Sequence, residues 1–208
     1  MWTDSELERR KKRGDDLDKA KTDKEKATGL YYRNMIAHVN HVLKDIKRVV
    51  PDHDAKRGYE LAGFVWFQGF NDLVDASVYP DRGNPGGYDA YSDLLAHLIR
   101  DVRKDLHTPK LPFVIGVLGV GGEKEGAKGP TLHFRQAMRK PIDAPEFRGN
   151  VFAVDTAKFW DDDLDALKTR MDKLNATLNT EAKKNLQMTK ADKDAAKAKA
   201  VAEAFTVV

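Results

Sequence analysis

The residues of this sequence that best fit a chemical role are Gln68, Gly69, Phe70, Asn71 and Asp72, which follow an apolar run. A buried strand that ends in a polar turn places polar groups at its carboxyl end, where open α/β sheets bind ligands. Held there, the Gly69 N–H and the Asn71 carboxamide would stabilise the negative charge that develops on a carbonyl oxygen during acyl transfer. The pattern therefore indicates an oxyanion site. The alternative interpretation is a local turn, because Asn and Asp bond to nearby backbone and Gly frees it.

The elements around this turn predict a βαβ unit. A helix with apolar residues at three- and four-residue spacing is expected from about residue 30 to Pro51, followed by a strand over 61–67. Residues 68–87 are rich in Asp, Asn, Gly and Pro and predict a long loop. A helix over about 88–106 and a buried strand over 113–118 complete a right-handed unit with two parallel strands.

The remainder of the chain adds one strand and several helices. Thr131 is predicted to cap a helix that runs to about Arg139, and 151–154 reads as a short strand. The acidic run 161–163 suits the N-terminus of a helix with leucines and a methionine on one stripe. Three predicted strands are fewer than the usual sheet of about four to six. The sequence therefore predicts an incomplete α/β domain.

Composition limits the class of protein. Hydrophobic residues make up 41% of the 208 residues and charged residues 33%, and there is no cysteine. The charge of +3 is interspersed along the chain, which argues against a nucleic-acid surface. No apolar run approaches the roughly 20 residues that span a membrane, and Met1-Trp2-Thr3-Asp4 leads directly into charge without a signal-peptide pattern. The sequence assigns no compartment.

Three segments are expected. Residues 1–28 form a charged, flexible N-terminal arm, which is disordered or an exposed helix with charge pairs. Residues 29–160 form the partial α/β domain, and 161–208 form a helical C-terminal segment.

Three blocks of the chain resemble a known family. They are Trp66-Phe67-Gln68-Gly69-Phe70-Asn71-Asp72, then Tyr79-Pro80 with Pro85-Gly86-Gly87-Tyr88-Asp89-Ala90-Tyr91, and finally Pro112 through Gly119. Together they resemble the sialate O-acetylesterase (SASA) domain, a group of carbohydrate esterases in the SGNH hydrolase superfamily. The resemblance covers roughly residues 28–160.

The resemblance implies a fold, an activity and a site. The fold would be a three-layer α/β/α, flavodoxin-like SGNH hydrolase fold, and the activity would be hydrolysis of O-acetyl esters on sugars. Gly69 and Asn71 would form the oxyanion hole, Gln68 and Phe70 would line the substrate side, and Asp72 would hold the turn. Many relatives have Glu where this chain has Phe70, which changes the contacts available to a sugar.

The resemblance leaves the catalytic pair unassigned. The family's nucleophile is a Ser just after the first strand, whereas Ser5, Ser77 and Ser92 follow no predicted strand. The family's base is a late His, whereas the last histidine is His133. A Ser hydrolase needs both within hydrogen-bond reach. Two functions therefore stay open: a truncated O-acetylesterase-like chain that lacks this pair, and a non-catalytic domain that binds a carbohydrate or another partner.

The predicted partners are an acetylated carbohydrate and the missing parts of the domain, with no nucleic acid and no membrane. No cofactor and no metal site are expected. Asp72, Asp75, Asp81 and Asp89 do not have EF-hand spacing, and the glycines of 116–122 lack the Lys and Ser/Thr of a phosphate-binding loop. That loop is instead expected to pack around the carboxyl edge of the sheet.

Overall fold

A computed structural model describes residues 4–125, 128–184 and 189–204. The strands are β1 (Phe64–Trp66), β2 (Phe113–Val117) and β3 (Val151–Asp155). The helices are α1 (Asp4–Lys12), α2 (Leu17–Ala27), α3 (Leu30–Lys44), α4 (Phe70–Val74), α5 (Asp89–Asp105), α6 (Gly122–Glu125), α7 (Gly129–Arg139), α8 (Asp162–Lys184) and α9 (Lys190–Ala204). Short 3-10 helices lie at Ile46–Arg48, Ala55–Arg57, Lys140–Asp143, Pro145–Phe147 and Ala157–Phe159.

The three strands form one open parallel sheet in the order β1-β2-β3. β2 and β3 pair in register from Phe113↔Val151 to Val117↔Asp155. Because α5 connects β1 to β2 and α7 connects β2 to β3, the predicted βαβ arrangement is confirmed. A largely helical chain with an open, three-stranded parallel sheet is consistent with the predicted α/β class and its three-layer α/β/α fold, with an incomplete sheet.

The chain divides into two compact units. The first contains residues 1–64 and 96–112, and the second contains 65–95 and 113–208. In the first unit the Tyr32 hydroxyl donates to Asp105 at 2.7 Å, and the buried Arg103 guanidinium donates twice to the Leu111 carbonyl. The predicted segment boundaries at 28/29 and 160/161 stay a prediction.

The N-terminal segment of the first unit is helical within the described residues. Asp16 caps α2 by accepting hydrogen bonds from the backbone of Asp18 and Lys19, and the pair Lys19–Asp23 is spaced four residues apart on the exposed surface. No residue of α2 is buried. Over residues 4–28 the structure therefore matches the exposed-helix alternative, in which charge pairs rather than a core stabilise the helix.

The second unit has an aromatic core. Tyr79, Tyr88, Tyr91 and Phe134 form a chain of ring contacts, with centroids 5.1 Å, 4.9 Å and 4.6 Å apart. Phe134 and Met138 of α7 are fully buried. The core thus fixes α7 against the segment that follows β1.

Several predicted boundaries are wrong. The first long helix ends at Lys44 and not at Pro51, because Asp45 leaves helical geometry and only a 3-10 turn follows. β1 covers three residues rather than 61–67, and the predicted loop over 68–87 contains the helix α4. α7 begins two residues before Thr131, with Lys128 at the cap position and a proline in its first turn, so Thr131 does not cap it.

Candidate functional site

The turn after β1 is built around a glycine that no other residue can replace without strain. Gly69 is buried and has φ +149°, a conformation that L-residues rarely adopt. A Cβ at this position would lie 2.8 Å from two ring atoms of Phe134 and 3.3 Å from the Tyr91 hydroxyl. The backbone of the turn therefore approaches the aromatic core as closely as atoms allow.

Gly69 precedes α4, whose first residues face outward. Phe70 is 50% exposed and Asn71 is also exposed. Within the part of the chain that the structure describes, the Gly69 N–H and the Asn71 carboxamide have no hydrogen-bond partner. Neither group is therefore committed to another group of the protein, which an oxyanion site requires of its donors.

The carboxylate of Asp72 ties the turn together. It accepts a hydrogen bond from the Gln68 carboxamide at 3.1 Å through one oxygen and from the Tyr79 hydroxyl at 3.1 Å through the other. The Gln68 side chain is thus held by Asp72 through one of its two amide hydrogens. The structure gives Asp72 the contacts that a turn-holding residue needs.

Two further tyrosines hold the backbone of the turn. The Tyr91 hydroxyl donates to the Gln68 carbonyl at 3.0 Å and accepts from the Trp66 indole N–H at 3.2 Å. The Tyr88 hydroxyl donates to the Leu73 carbonyl at 2.7 Å, where Arg82 also donates. Tyr88 directly precedes α5 and Tyr91 lies in its first turn, so the start of this helix supplies both hydroxyls.

Sequence reasoning missed these anchoring roles. In the sequence, Tyr79, Tyr88 and Tyr91 stand out only as members of the blocks that resemble the family. The sequence does carry one signal for these roles, which is a tyrosine-rich segment that follows the polar turn within about 20 residues. A buried tyrosine generally finds a partner for its hydroxyl, and a nearby turn supplies carbonyls.

Neither Ser77 nor Ser92 forms a hydrogen bond with the last histidine, His133. The Ser77 hydroxyl donates to Asp75 at 2.6 Å, and the buried Ser92 hydroxyl donates to the Ala137 carbonyl at 2.8 Å. His133 lies on α7, and its Nδ1 is buried without a partner. Since a serine hydroxyl has one proton, neither of these two serines donates to a histidine. Ser5 belongs to α1, and its side chain lies outside the described residues.

The glycine-rich loop after β2 is filled by the chain itself. The buried Arg135 guanidinium donates to the carbonyls of Leu118, Val120 and Gly122 at 2.7–3.1 Å. A Cβ on Gly119 would lie 2.6 Å from the backbone of Thr156, at the carboxyl end of β3. The loop therefore packs at the carboxyl edge of the sheet, as the sequence predicts.

Three of the four aspartates considered for a cation, Asp72, Asp75 and Asp89, bond to protein groups. Asp75 accepts from Ser77 and Val78, and Asp89 pairs with Lys140 at 2.9 Å. Among the described residues, no group of three or more His, Cys, Asp or Glu side chains has the arrangement of a metal site. In the same residues, no helix combines the length and the apolar character needed to cross a membrane.

A comparison with protein families shows to which family this chain belongs. The family model of carbohydrate esterases described as sialic acid-specific acetylesterases (SASA) matches residues 19–193. The chain belongs to the SASA family. Comparison with curated proteins and with solved structures gave no match. The match includes the whole turn from Gln68 to Asp72, so the resemblance read from the sequence is confirmed for this SASA chain.

Burial of the three anchoring tyrosines gives the SASA chain an expected alkaline instability. Burial raises the pKa of Tyr91 to about 12, burial and the nearby Asp72 charge raise the pKa of Tyr79, and burial raises that of Tyr88. A raised folded-state pKa means that the stabilisation is complete below the unfolded pKa of about 10. We expect the free energy of unfolding to fall as the pH rises from about 10 towards 12, measured by urea titration at each pH.

Two variants test whether the buried tyrosines cause this fall in the free energy of unfolding at high pH. Tyr91→Phe removes one of the three groups, so its free energy of unfolding should fall less steeply above pH 10. Tyr31→Phe changes a side chain that is 87% exposed and should retain the steepness of the unchanged chain. Equal slopes for both variants would contradict the assignment.

Proposed function

We propose that this chain carries the oxyanion side of a carbohydrate O-acetylesterase site, with the Gly69 N–H and the Asn71 carboxamide as donors. The observation that carries the proposal is that both donors are unpartnered on a turn held rigidly by Asp72 and two tyrosines. Membership of the SASA family supports the reaction class. Donors that are fixed before the reaction stabilise developing charge without a reorganisation cost.

The substrate is an O-acetylated sugar of the sialate type. Hydrolysis consumes one water, breaks the bond between the acetyl carbonyl carbon and the sugar oxygen, and releases acetate and the free sugar hydroxyl. Gly69 and Asn71 donate to the carbonyl oxygen while it carries negative charge. Gln68 and the exposed Phe70 contact the sugar, and Asp72 positions Gln68.

The nucleophile and the general base come from outside this chain in our proposal. The hydroxyls of Ser77 and Ser92 are committed to Asp75 and to the Ala137 carbonyl, which supports a truncated form of the enzyme. The missing parts of the domain are then the partner that completes the site.

A second candidate is a non-catalytic domain that binds an acetylated carbohydrate. The same free donors support it, because they can bind an ester carbonyl in its ground state. The two candidates differ in whether added polypeptide creates turnover.

Binding to the isolated chain tests the site. We expect an O-acetylated N-acetylneuraminic acid to bind, measured by calorimetry, and Asn71→Ala to weaken the affinity about 10-fold through loss of one hydrogen bond. Asn84→Ala is the matched control, since Asn84 is an exposed loop residue outside the turn. Equal affinities for the two variants would remove Asn71 from the site.

Hydrolysis tests the function. Acetate release by the isolated chain should not exceed the buffer rate, and it should appear when the chain is extended with its natural upstream and downstream sequence. Asn71→Ala in the extended protein should then lower kcat by about 10²–10³. Turnover by the isolated chain would contradict the truncated form, and an extended protein without turnover would favour the binding domain.

A further inference from the structure

One face of the sheet is exposed, although its side chains are apolar. Val65 is 71%, Phe67 62%, Phe152 49% and Val154 44% exposed, and we call these four residues the open face. They share one side of the sheet, because Gly116 pairs with Val154 and also lies under the ring of Phe67. The opposite side is closed, since Phe113, Ile115 and Val117 of β2 are at most 1% exposed.

An exposed face of this kind is unusual for a parallel sheet. Parallel strands are normally covered on both faces, which is why their sequences are continuous apolar runs. The runs Phe64-Val65-Trp66-Phe67 and Val151-Phe152-Ala153-Val154 predict cover on both sides. A contiguous apolar patch that remains open marks an interaction surface.

The same chain exposes a second apolar surface that fits the first. The α8 stripe consists of Leu164, Leu167, Met171, Leu174 and Leu178, which alternate three- and four-residue spacing as in a heptad seam. Leu164 is 61% and Leu167 42% exposed, and the other three are only half-buried. The stripe spans about 21 Å at about 1.5 Å per residue, and five-residue strands span about 16 Å.

The start of α8 is held by two local contacts, and Leu164 and Leu167 stay exposed there while the helix also contacts α9. Trp160 packs beside Gly122, where a Cβ would meet its ring at 3.3 Å, and the Asp161 carboxylate caps the helix by accepting from the Leu164 N–H at 2.8 Å. The open face remains exposed although α8 belongs to the same compact unit, so the helix of its own chain does not cover it. A second copy can bring its α8 there while both local contacts stay in place.

We propose that the chain forms a two-fold symmetric dimer in which the α8 stripe of each copy packs on the open face of the other. The symmetry makes the contact twice, so that all four apolar surfaces become buried in one closed assembly. Phe67 directly precedes Gln68, so the helix of the second copy borders the candidate site. The dimer would thereby give the sheet the second helical layer that parallel sheets require.

Mass measurement tests the association. The full chain should sediment at twice 23.4 kDa at tens of micromolar and dissociate on dilution. Val154→Lys on the open face and Leu167→Lys on the α8 stripe should each yield the monomer mass, because each buries a charge in the contact. Leu94→Lys is the control, since Leu94 is 64% exposed but belongs to neither surface. A monomeric unchanged chain, or dissociation by Leu94→Lys as well, would overturn the proposal.

Because the chain has no cysteine, single cysteines introduced by mutation can report which surfaces meet in the dimer. A disulfide-linked dimer should form when the Phe152→Cys chain is mixed with the Leu167→Cys chain and oxidised, and each variant alone should cross-link much less. Efficient cross-linking of either variant alone would show face-to-face or helix-to-helix pairing. A disulfide within one chain that carries both substitutions would show that α8 covers its own sheet. Each of these results would contradict the proposed arrangement, whether or not the chain hydrolyses esters.

Discussion

Replacing Gly69 with alanine should lower the free energy of unfolding by about 2–5 kcal/mol, because overpacking and backbone strain act together. The new Cβ would lie 2.8 Å from the ring of Phe134, which is itself fully buried against Tyr88 and Tyr91. The Phe134 ring cannot move away without disturbing the two tyrosines that it contacts. The φ of +149° adds a strain that alanine cannot relieve in place.

Urea unfolding followed by tryptophan fluorescence measures this loss. Gly83→Ala is the matched control, because a Cβ there meets nothing within 4 Å and its backbone conformation suits other residues. Its free energy of unfolding should change by less than about 0.5 kcal/mol. A Gly69→Ala chain as stable as the Gly83→Ala chain would mean that the turn does not pack tightly on the aromatic core.

Ligand binding should respond to the same substitution. Since Gly69 supplies one proposed donor and sets the direction of Asn71, a shift of the turn moves both donors. Affinity for the acetylated sugar should therefore fall further in Gly69→Ala than in Asn71→Ala, as judged by calorimetry on the folded fraction.

Replacing Arg135 with alanine should cost about 3–5 kcal/mol, because it strands several carbonyls at once. Its guanidinium is buried and donates to the carbonyls of Leu118, Val120 and Gly122. These carbonyls belong to the glycine-rich loop that follows β2. Urea unfolding again provides the measurement.

Two variants distinguish the hydrogen bonds that Arg135 donates from the effect of its positive charge. Arg135→Lys keeps the charge but loses the fork of donors, so it should fall between alanine and the unchanged chain. Arg139→Ala removes an arginine one turn further along α7 that pairs with Asp155 on the surface, and should cost no more than about 1 kcal/mol. Equal losses for Arg135→Ala and Arg139→Ala would contradict the bracing of the loop by Arg135.

The features that the sequence by itself determined are those set by local pattern. The apolar runs at β2 and β3 and the stripe of α5 gave elements within one or two residues of the observed bounds. The Gln-Gly-Phe-Asn-Asp turn and its flanking blocks identified the SASA family, since a motif of consecutive residues needs no knowledge of distant contacts. The acidic run before α8 predicted the helix start, and Asp161 caps it.

Tertiary structure alone decided how the turn is held and which surfaces stay open. Tyr79, Tyr88 and Tyr91 anchor the turn from positions 7–23 residues away from the groups that they bond. Arg135 braces a loop 13–17 residues before it, which no helical periodicity reveals. The exposure of Phe152 and Val154 is likewise absent from their strand pattern, because an apolar run specifies a preference for burial and not which surface provides it. Local sequence fixes the elements through propensity and period, whereas the partners of a side chain depend on which elements the fold brings beside it.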